Sequence, residues 1–310
     1  EFRRYNIQYM DFRNTHNWCE NLNAILKEKD RHPRLIISGT SLNHNKWHKV
    51  WGTALEHNIK IVAIVDSWQN LQERFITCSI ERSNWPNIIC LIDEKIESTI
   101  KMIKGIESKV VCIGHPILSR LYDQRSLKIK EFHNNFLYVS EPITTSKEKY
   151  NASRLTRVQR NSFATLCEFA AIRDKDISIK LHPRETDSHF AQYKLLSNNR
   201  CRVKLETPLT KQRLLDTRWV AFGLTSMLLI ELYLSGSSCI SLLERKVQCE
   251  QSFFKYYANI IPRINSKEEL LELKIDELIS KSIMLENDNT FIKKDGFKLI
   301  SNMIDGCSSN

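Results

Sequence analysis

The sequence predicts an α/β protein with two parallel sheets, one in each half of the chain. Short apolar runs rich in Ile, Val and Leu alternate with helix-compatible segments, the pattern of buried parallel strands joined by crossover helices. Several runs end abruptly in polar residues, which puts those residues at the carboxyl edge of a sheet, where ligands bind. The series of strands also restarts after a charged stretch near residues 120–134.

A helix over residues 18–29 leads into the run 34–41, which closes on Ser38, Gly39, Thr40 and Ser41. After a second helix, the run 58–66 ends on Asp66, and runs 87–92 and 109–113 complete the first set. Gly114, His115 and Pro116 form the turn that closes it. A second set opens with 136–139 and continues with 177–181, 202–205, 218–222 and 239–243, with helices over 153–173 and 226–234. Charged helical segments follow Glu268. Two Rossmann-like domains facing a central cleft are the expected architecture. The first domain spans 1–125 and the second 126–290, with a helix in 291–310 packing back on the first.

A chain of 310 residues, 42% hydrophobic and 26% charged, has room for two such cores of about 150 residues each. No apolar stretch approaches the roughly 20 residues that span a bilayer, and the opening Glu1-Phe2-Arg3-Arg4-Tyr5 lacks the apolar core of a signal peptide, so a cytoplasmic location is expected. The 9 cysteines are scattered singly with no C-x-x-C pair, which argues against a disulfide framework or a zinc site and for small buried hydrophobes. The net charge of +10, from 46 basic and 36 acidic residues, favours anionic partners and suits peripheral attachment to an anionic membrane at its inner face. Zinc-finger spacing, an aromatic ribonucleoprotein motif and a compact basic helix are all missing from the sequence, so specific nucleic-acid binding is not expected.

The chemistry concentrates at strand ends. Thr225 and Ser226 stand where the first turn of a helix leaves backbone N–H groups unpaired, so a phosphate there would receive hydroxyl and amide hydrogen bonds and the favourable end of the helix dipole. The alternative is that one of them simply caps the helix. His182 ends the run 177–181 and can donate to a phosphate or protonate a departing phosphate oxygen; Pro183 stiffens its turn, and Arg184 and Lys180 are charge partners for an anionic donor. Glu231 and Glu244 are acids suited either to ribose hydroxyls or to surface pairing. In the first half Asp66 is the candidate general base, and Trp68 with Gln69 and Asn70 offers a ring face and amides to a sugar. Ser38, Thr40 and Ser41 form a small polar loop suited to an acceptor. Glu141, in the loop Ser140-Glu141-Pro142, is a second candidate base or a nucleotide contact.

Two Rossmann-like halves around one cleft make the GT-B arrangement of glycosyltransferases. Within it, His182-Pro183 and Thr225-Ser226 resemble the HP and S/T-S motifs of bacterial sialyltransferases, polysialyltransferases and Kdo transferases; teichoic-acid glycerophosphotransferases are similar. The resemblance implies that these four residues hold the cytidine monophosphate part of an activated acidic sugar, which is transferred to a glycan or glycolipid acceptor in the building of a capsule, lipopolysaccharide or other surface polysaccharide. The acidic pair followed by Gly that supplies the base in polysialyltransferases is absent here, so the base stays open between Asp66 and Glu141. No cofactor and no metal ion are expected; G-x-G-x-x-G, G-x-x-x-x-G-K-S/T, H-E-x-x-H and G-x-S-x-G are missing. Transfer of a polyol phosphate from a CDP donor, a catalytically silent carbohydrate-binding subunit and a nucleotide-sugar epimerase of the same shape remain as alternatives.

Overall fold

The computed structural model describes residues 18–27, 33–40, 44–68, 70–72, 74–75, 85–103, 105–125, 132–142, 154–206, 211–243, 260–264, 266–281 and 296–305. They form two compact units. One holds the described residues up to Ser119 together with the last helix, and the other holds those from Arg120 to Lys281.

The first unit is built on a four-stranded parallel sheet of β1 (Leu35–Gly39), β2 (Lys60–Val65), β3 (Ile88–Leu91) and β4 (Lys109–Cys112), in that spatial order. These are the β-branched runs of the sequence, and β2 is buried along most of its length because both faces of a parallel sheet are covered. Helix α1 (Trp18–Lys27) precedes β1, α2 (His44–Glu56) lies between β1 and β2, and α3 (Glu97–Lys101) lies between β3 and β4. Asn58, at φ 56°, ends α2: with the chain turned left-handed there, Ile59 N–H donates back to Ala54 O at 2.9 Å and satisfies a terminal carbonyl. Gly114, at φ 72°, turns the chain out of β4 into α4 (Pro116–Arg125), whose first residue is a proline with no N–H to satisfy. The division between the units falls inside α4.

The second unit has a five-stranded parallel sheet of β5 (Phe132–Val139), β6 (Ile177–Lys180), β7 (Val203–Leu205), β8 (Arg218–Gly223) and β9 (Ser238–Ser241), in the order β7-β6-β5-β8-β9. Its helices are α5 (Arg157–Ile172), α6 (Asp187–Ser197), α7 (Lys211–Leu215), α8 (Met227–Leu234), α9 (Lys267–Glu272) and α10 (Ile275–Lys281). Helix α5 starts at a reciprocal capping box between Thr156 and Gln159, two orphan N–H groups being satisfied at once. The core under it is aromatic: Phe136, Phe169 and Phe222 meet at centroid separations of 5.3–5.6 Å.

Strand β5 begins four residues before the apolar pattern that predicts it over 136–139. Its polar start is held from the side by aromatic contacts, His133 stacking on Trp219 at 4.0 Å and the Arg218 guanidinium lying 4.0 Å over the Phe132 ring. Helix α6 has no counterpart in the sequence reading. The last helix, α11 (Gly296–Asp305), sets Ile300 against Val62, Cys90 and Ile113 of the first unit. Gly296 is required at that contact, since a β-carbon there would stand 2.3 Å from the Ile113 carbonyl oxygen. No described helix is long and apolar enough to cross a membrane.

Candidate functional site

The strand order of the second sheet places its site. Connections run outward from β5 through β6 to β7, then return to the other side of β5 as β8 and β9, so the direction of winding reverses between β5 and β8. At such a switch point the loops leave in opposite directions and open a crevice at the carboxyl ends of the strands. Val139 pairs with both Lys180 and Gly223, which sets Ser140 and Glu141 beside the β6 end carrying His182 and the β8 end carrying Thr225 and Ser226.

Glu141 and Thr225 meet across that point. Glu141 Oε2 accepts from Thr225 N–H at 2.9 Å and from Thr225 Oγ–H at 2.9 Å. Burial pushes the Glu141 carboxyl above the usual carboxylate range; the two Thr225 hydrogen bonds and the Arg184 charge pull it back, and Glu185 adds to the rise. Ser226 is the N-cap of α8, its Oγ accepting from Leu228 N–H at 3.3 Å. Gly223 permits the close packing behind them, because a β-carbon there would come within 2.9 Å of Val139 O and of Leu229 Cδ1.

His182, Pro183, Arg184 and Glu185 form one turn, closed by Glu185 N–H donating to His182 O at 2.8 Å. Pro183 and Arg184 are its exposed corner, and His182 is half-buried. Arg184 N–H donates to His182 Nδ1 at 3.1 Å, so Nδ1 is an acceptor and the neutral ring carries its proton on Nε2. Burial holds the imidazole below its ordinary titration range, the Arg184 and Lys180 charges add to this, and Glu185 opposes it. The result is a neutral N–H donor at the sheet edge near pH 7. Glu231, on α8, is buried and paired with Lys211, at 2.7 Å to each oxygen, and burial raises its carboxyl against the pull of Lys211.

In the first unit the strand ends are organised by a residue that the sequence reading passed over. Arg74 Nη1 donates to Thr40 O at 2.6 Å, to Thr40 Oγ1 at 3.1 Å and to Asp66 Oδ1 at 2.7 Å, tying the end of β1 to the end of β2. The Asp66 side chain remains 73% exposed. Ser38 is buried and accepts from Trp51 Nε1 at 2.9 Å. Trp68 is fully buried, donates from Nε1 to Asp93 Oδ2 at 2.6 Å and stacks against His115, so its ring has no face open to a sugar; the sequence cannot tell an exposed aromatic after a strand from one folded beneath it. Asn70 is half-buried at φ 53°. Ser41 and Glu244, with Gln69, lie outside the described residues. Among the described residues no cluster of His, Cys, Asp and Glu could hold a metal ion.

Also outside the sequence reading are Gln159, Glu185 and Tyr193. Glu185 Oε1 accepts from Ser140 Oγ at 2.8 Å and from Gln159 Nε2 at 2.7 Å, while Oε2 accepts from His182 N–H at 2.8 Å. The T-x-x-Q box at Thr156 was the available signal for Gln159, but it marks a helix start and not a partner.

The fold of these two units is GT-B-like. It is shared with the UDP-GlcNAc 2-epimerase of Methanocaldococcus jannaschii, at 13% identity and TM-score 0.61 over 98% of this chain and 88% of that one. UDP-GlcNAc 2-epimerase from Neisseria meningitidis, solved with UDP-GlcNAc bound, is similar at 13% identity and TM-score 0.60 over 96% and 84% of the two chains. A variant of Os79 from O. sativa, in complex with UDP, matches at 9% identity and TM-score 0.51 over 93% and 81%. No family model and no curated protein matches the sequence.

Proposed function

We propose that the chain is a glycosyltransferase that draws on a nucleotide-activated sugar and seats the donor phosphate at the switch point of the second sheet. The observation that carries this reading is the convergence of His182, Thr225 and the first turn of α8 on one strand edge, with His182 held as an Nε2–H donor. Neutral and backbone donors preorganised around a phosphate stabilise charge that grows on it as the sugar departs, without waiting for solvent to reorganise. Asp66 is the candidate base in the first unit, exposed and held at its strand end by Arg74. The motif pair favours a CMP-activated acidic sugar such as sialic acid or Kdo, and a glycan or glycolipid acceptor.

Calorimetric titration of CMP, CDP, UDP and GDP into the wild-type chain and into His182→Ala tests the reading. Binding that weakens about tenfold in the variant is expected, the loss of one hydrogen bond to a charged group. CMP preference supports the acidic-sugar donor, and CDP preference supports polyol phosphate transfer. Absence of binding to the wild type at millimolar nucleotide would overturn the donor site and favour a catalytically silent subunit.

A second reading is supported by the fold likeness to UDP-GlcNAc 2-epimerases: interconversion of a UDP-sugar with no acceptor. Incubation with UDP-GlcNAc alone distinguishes the two. A new UDP-sugar favours the epimerase, and no change until an acceptor is added favours the transferase.

A further inference from the structure

We propose that Glu185 is a positioning residue: its carboxylate fixes the 182–185 turn and thereby holds the His182 ring as an Nε2–H donor toward a phosphate. The proposal rests on the nucleotide site argued above and adds to it the group that orders its histidine.

Glu185 is only 9% exposed, and its hydrogen bonds come from neutral donors, two on other elements and one at the start of its own turn. Ser140 at the end of β5 and Gln159 on α5 donate to Oε1, and the backbone N–H of His182 donates to Oε2 at 2.8 Å. Tyr193 on α6 braces the first two, its hydroxyl lying 2.6 Å from Ser140 Oγ and 3.1 Å from Gln159 Nε2. Burying a carboxylate is costly, so a site serving the fold alone is better filled by a neutral or apolar side chain. A carboxylate is nevertheless the side chain that accepts on both oxygens at once, which the geometry here uses in full; glutamine accepts on one.

The connection to the ring runs through the backbone. Glu185 holds the first N–H of the turn, and the turn's own bonds hold the rest: Arg184 N–H reaches His182 Nδ1 at 3.1 Å and Glu185 N–H reaches His182 O at 2.8 Å. Release of the first bond loosens the turn that aims Arg184 N–H at Nδ1. The ring then loses both its orientation and the reason for keeping its proton on Nε2. Glu185 touches no reacting atom in this scheme; it acts through His182.

The test is the imidazole ¹H–¹⁵N spectrum of His182 in the full chain, with UDP and CMP binding measured on the same samples, for wild type, Glu185→Gln and Ser140→Ala. The wild type is expected to show the Nε2–H tautomer. Glu185→Gln is expected to unfold cooperatively, to mix the two tautomers and to bind nucleotide about tenfold more weakly. Ser140→Ala, which removes one donor and leaves the carboxylate, is expected to shift the tautomer in the same direction by less, and it serves if the glutamine variant does not fold. An unchanged Nε2–H signature in the folded variants overturns the proposal. A shifted signature in a chain whose wild type binds neither nucleotide leaves the positioning role standing and removes the donor site instead.

Discussion

Glu141 accepts two hydrogen bonds from Thr225, one from its backbone N–H and one from its hydroxyl, both at 2.9 Å. The pair spans the point where the second sheet reverses its winding, so a carboxylate of the chain itself takes donors that lie just ahead of the first turn of α8. An anion is favourable there for the same reason that a phosphate would be. A phosphate bound there, as proposed, would meet the Glu141 charge first, whatever part that residue took in chemistry.

Neutralising that carboxyl gives a signed prediction. Burial raises the Glu141 carboxyl, so ionising it works against folding: the stabilising neutral form is present below the unfolded value and is lost as pH rises through the raised folded one. Glu141→Gln keeps one acceptor for Thr225 and carries no charge to bury. Its denaturation midpoint at pH 8 is expected to equal or exceed that of the wild type, with the difference closing as pH falls below the ordinary carboxyl value of 4.5. Nucleotide affinity at pH 8 is expected to rise with it. A lower midpoint at pH 8 would mean that the fold requires the anion.

Asp66 and Arg74 share an ion pair but answer differently to mutation. Arg74 is 10% exposed and its Nη1 serves Thr40 and Asp66 together, so Arg74→Ala leaves buried acceptors unsatisfied and is expected to cost about 2 kcal/mol in chemical denaturation. Asp66, with its side chain 73% exposed, is expected to tolerate Asp66→Asn within about 1 kcal/mol. If Asp66 is the base, the same variant lowers kcat by about 10²–10⁴-fold at unchanged stability. Undiminished turnover in Asp66→Asn would pass the role to another residue.

The strands were legible because a buried parallel strand is a short, mostly apolar run, and all nine described strands lie on or within two residues of the runs read from the sequence except the polar start of β5. That start is fixed by Trp219 and Arg218 from the neighbouring strand, partners that no local window contains. The site divides in the same way. His182, Thr225 and Ser226 stand directly after strands and announce themselves, as does the acidic loop at Glu141. Gln159 and Tyr193 lie on α5 and α6 and meet Glu185 only through packing, and Arg74 reaches back 34 residues to Thr40. Trp68 shows the opposite limit: its place after Asp66 suggests an open ring, while burial and its bond to Asp93 turn it into core.

Glu231 offers a check on buried charge away from the proposed phosphate site. Lys211 holds its raised carboxyl toward the ionised form from a side chain that is 55% exposed, so the pair is discounted for solvent screening. Lys211→Ala is expected to cost about 1 kcal/mol at pH 8, where Glu231 must ionise without its partner. The cost disappears near pH 4, where the carboxyl is neutral with or without the lysine. Thermal melts at both pH values measure it, and an equal loss at both would assign the effect to packing of the lysine stem.

For the proposed transferase, the pH dependence of turnover distinguishes two roles for His182. Burial, Arg184 and Lys180 depress its titration below the ordinary value of 6.5, so the stability it contributes is present above that value and is lost as pH falls through the folded one. A ring that only donates from Nε2–H needs no further proton, and the rate should be level from about pH 7 to 8, where the imidazole is neutral. A ring that protonates the leaving phosphate must first be cationic, and the rate should already be falling with rising pH below 6.5. The Nδ1 hydrogen bond from Arg184 N–H favours the first outcome, because protonating Nδ1 would set two N–H groups against each other with their nitrogens 3.1 Å apart. A level profile that persists in Arg184→Gln, with the backbone donor kept and the charge removed, assigns the donor role to the tautomer; a profile that moves with the charge assigns it to the titration.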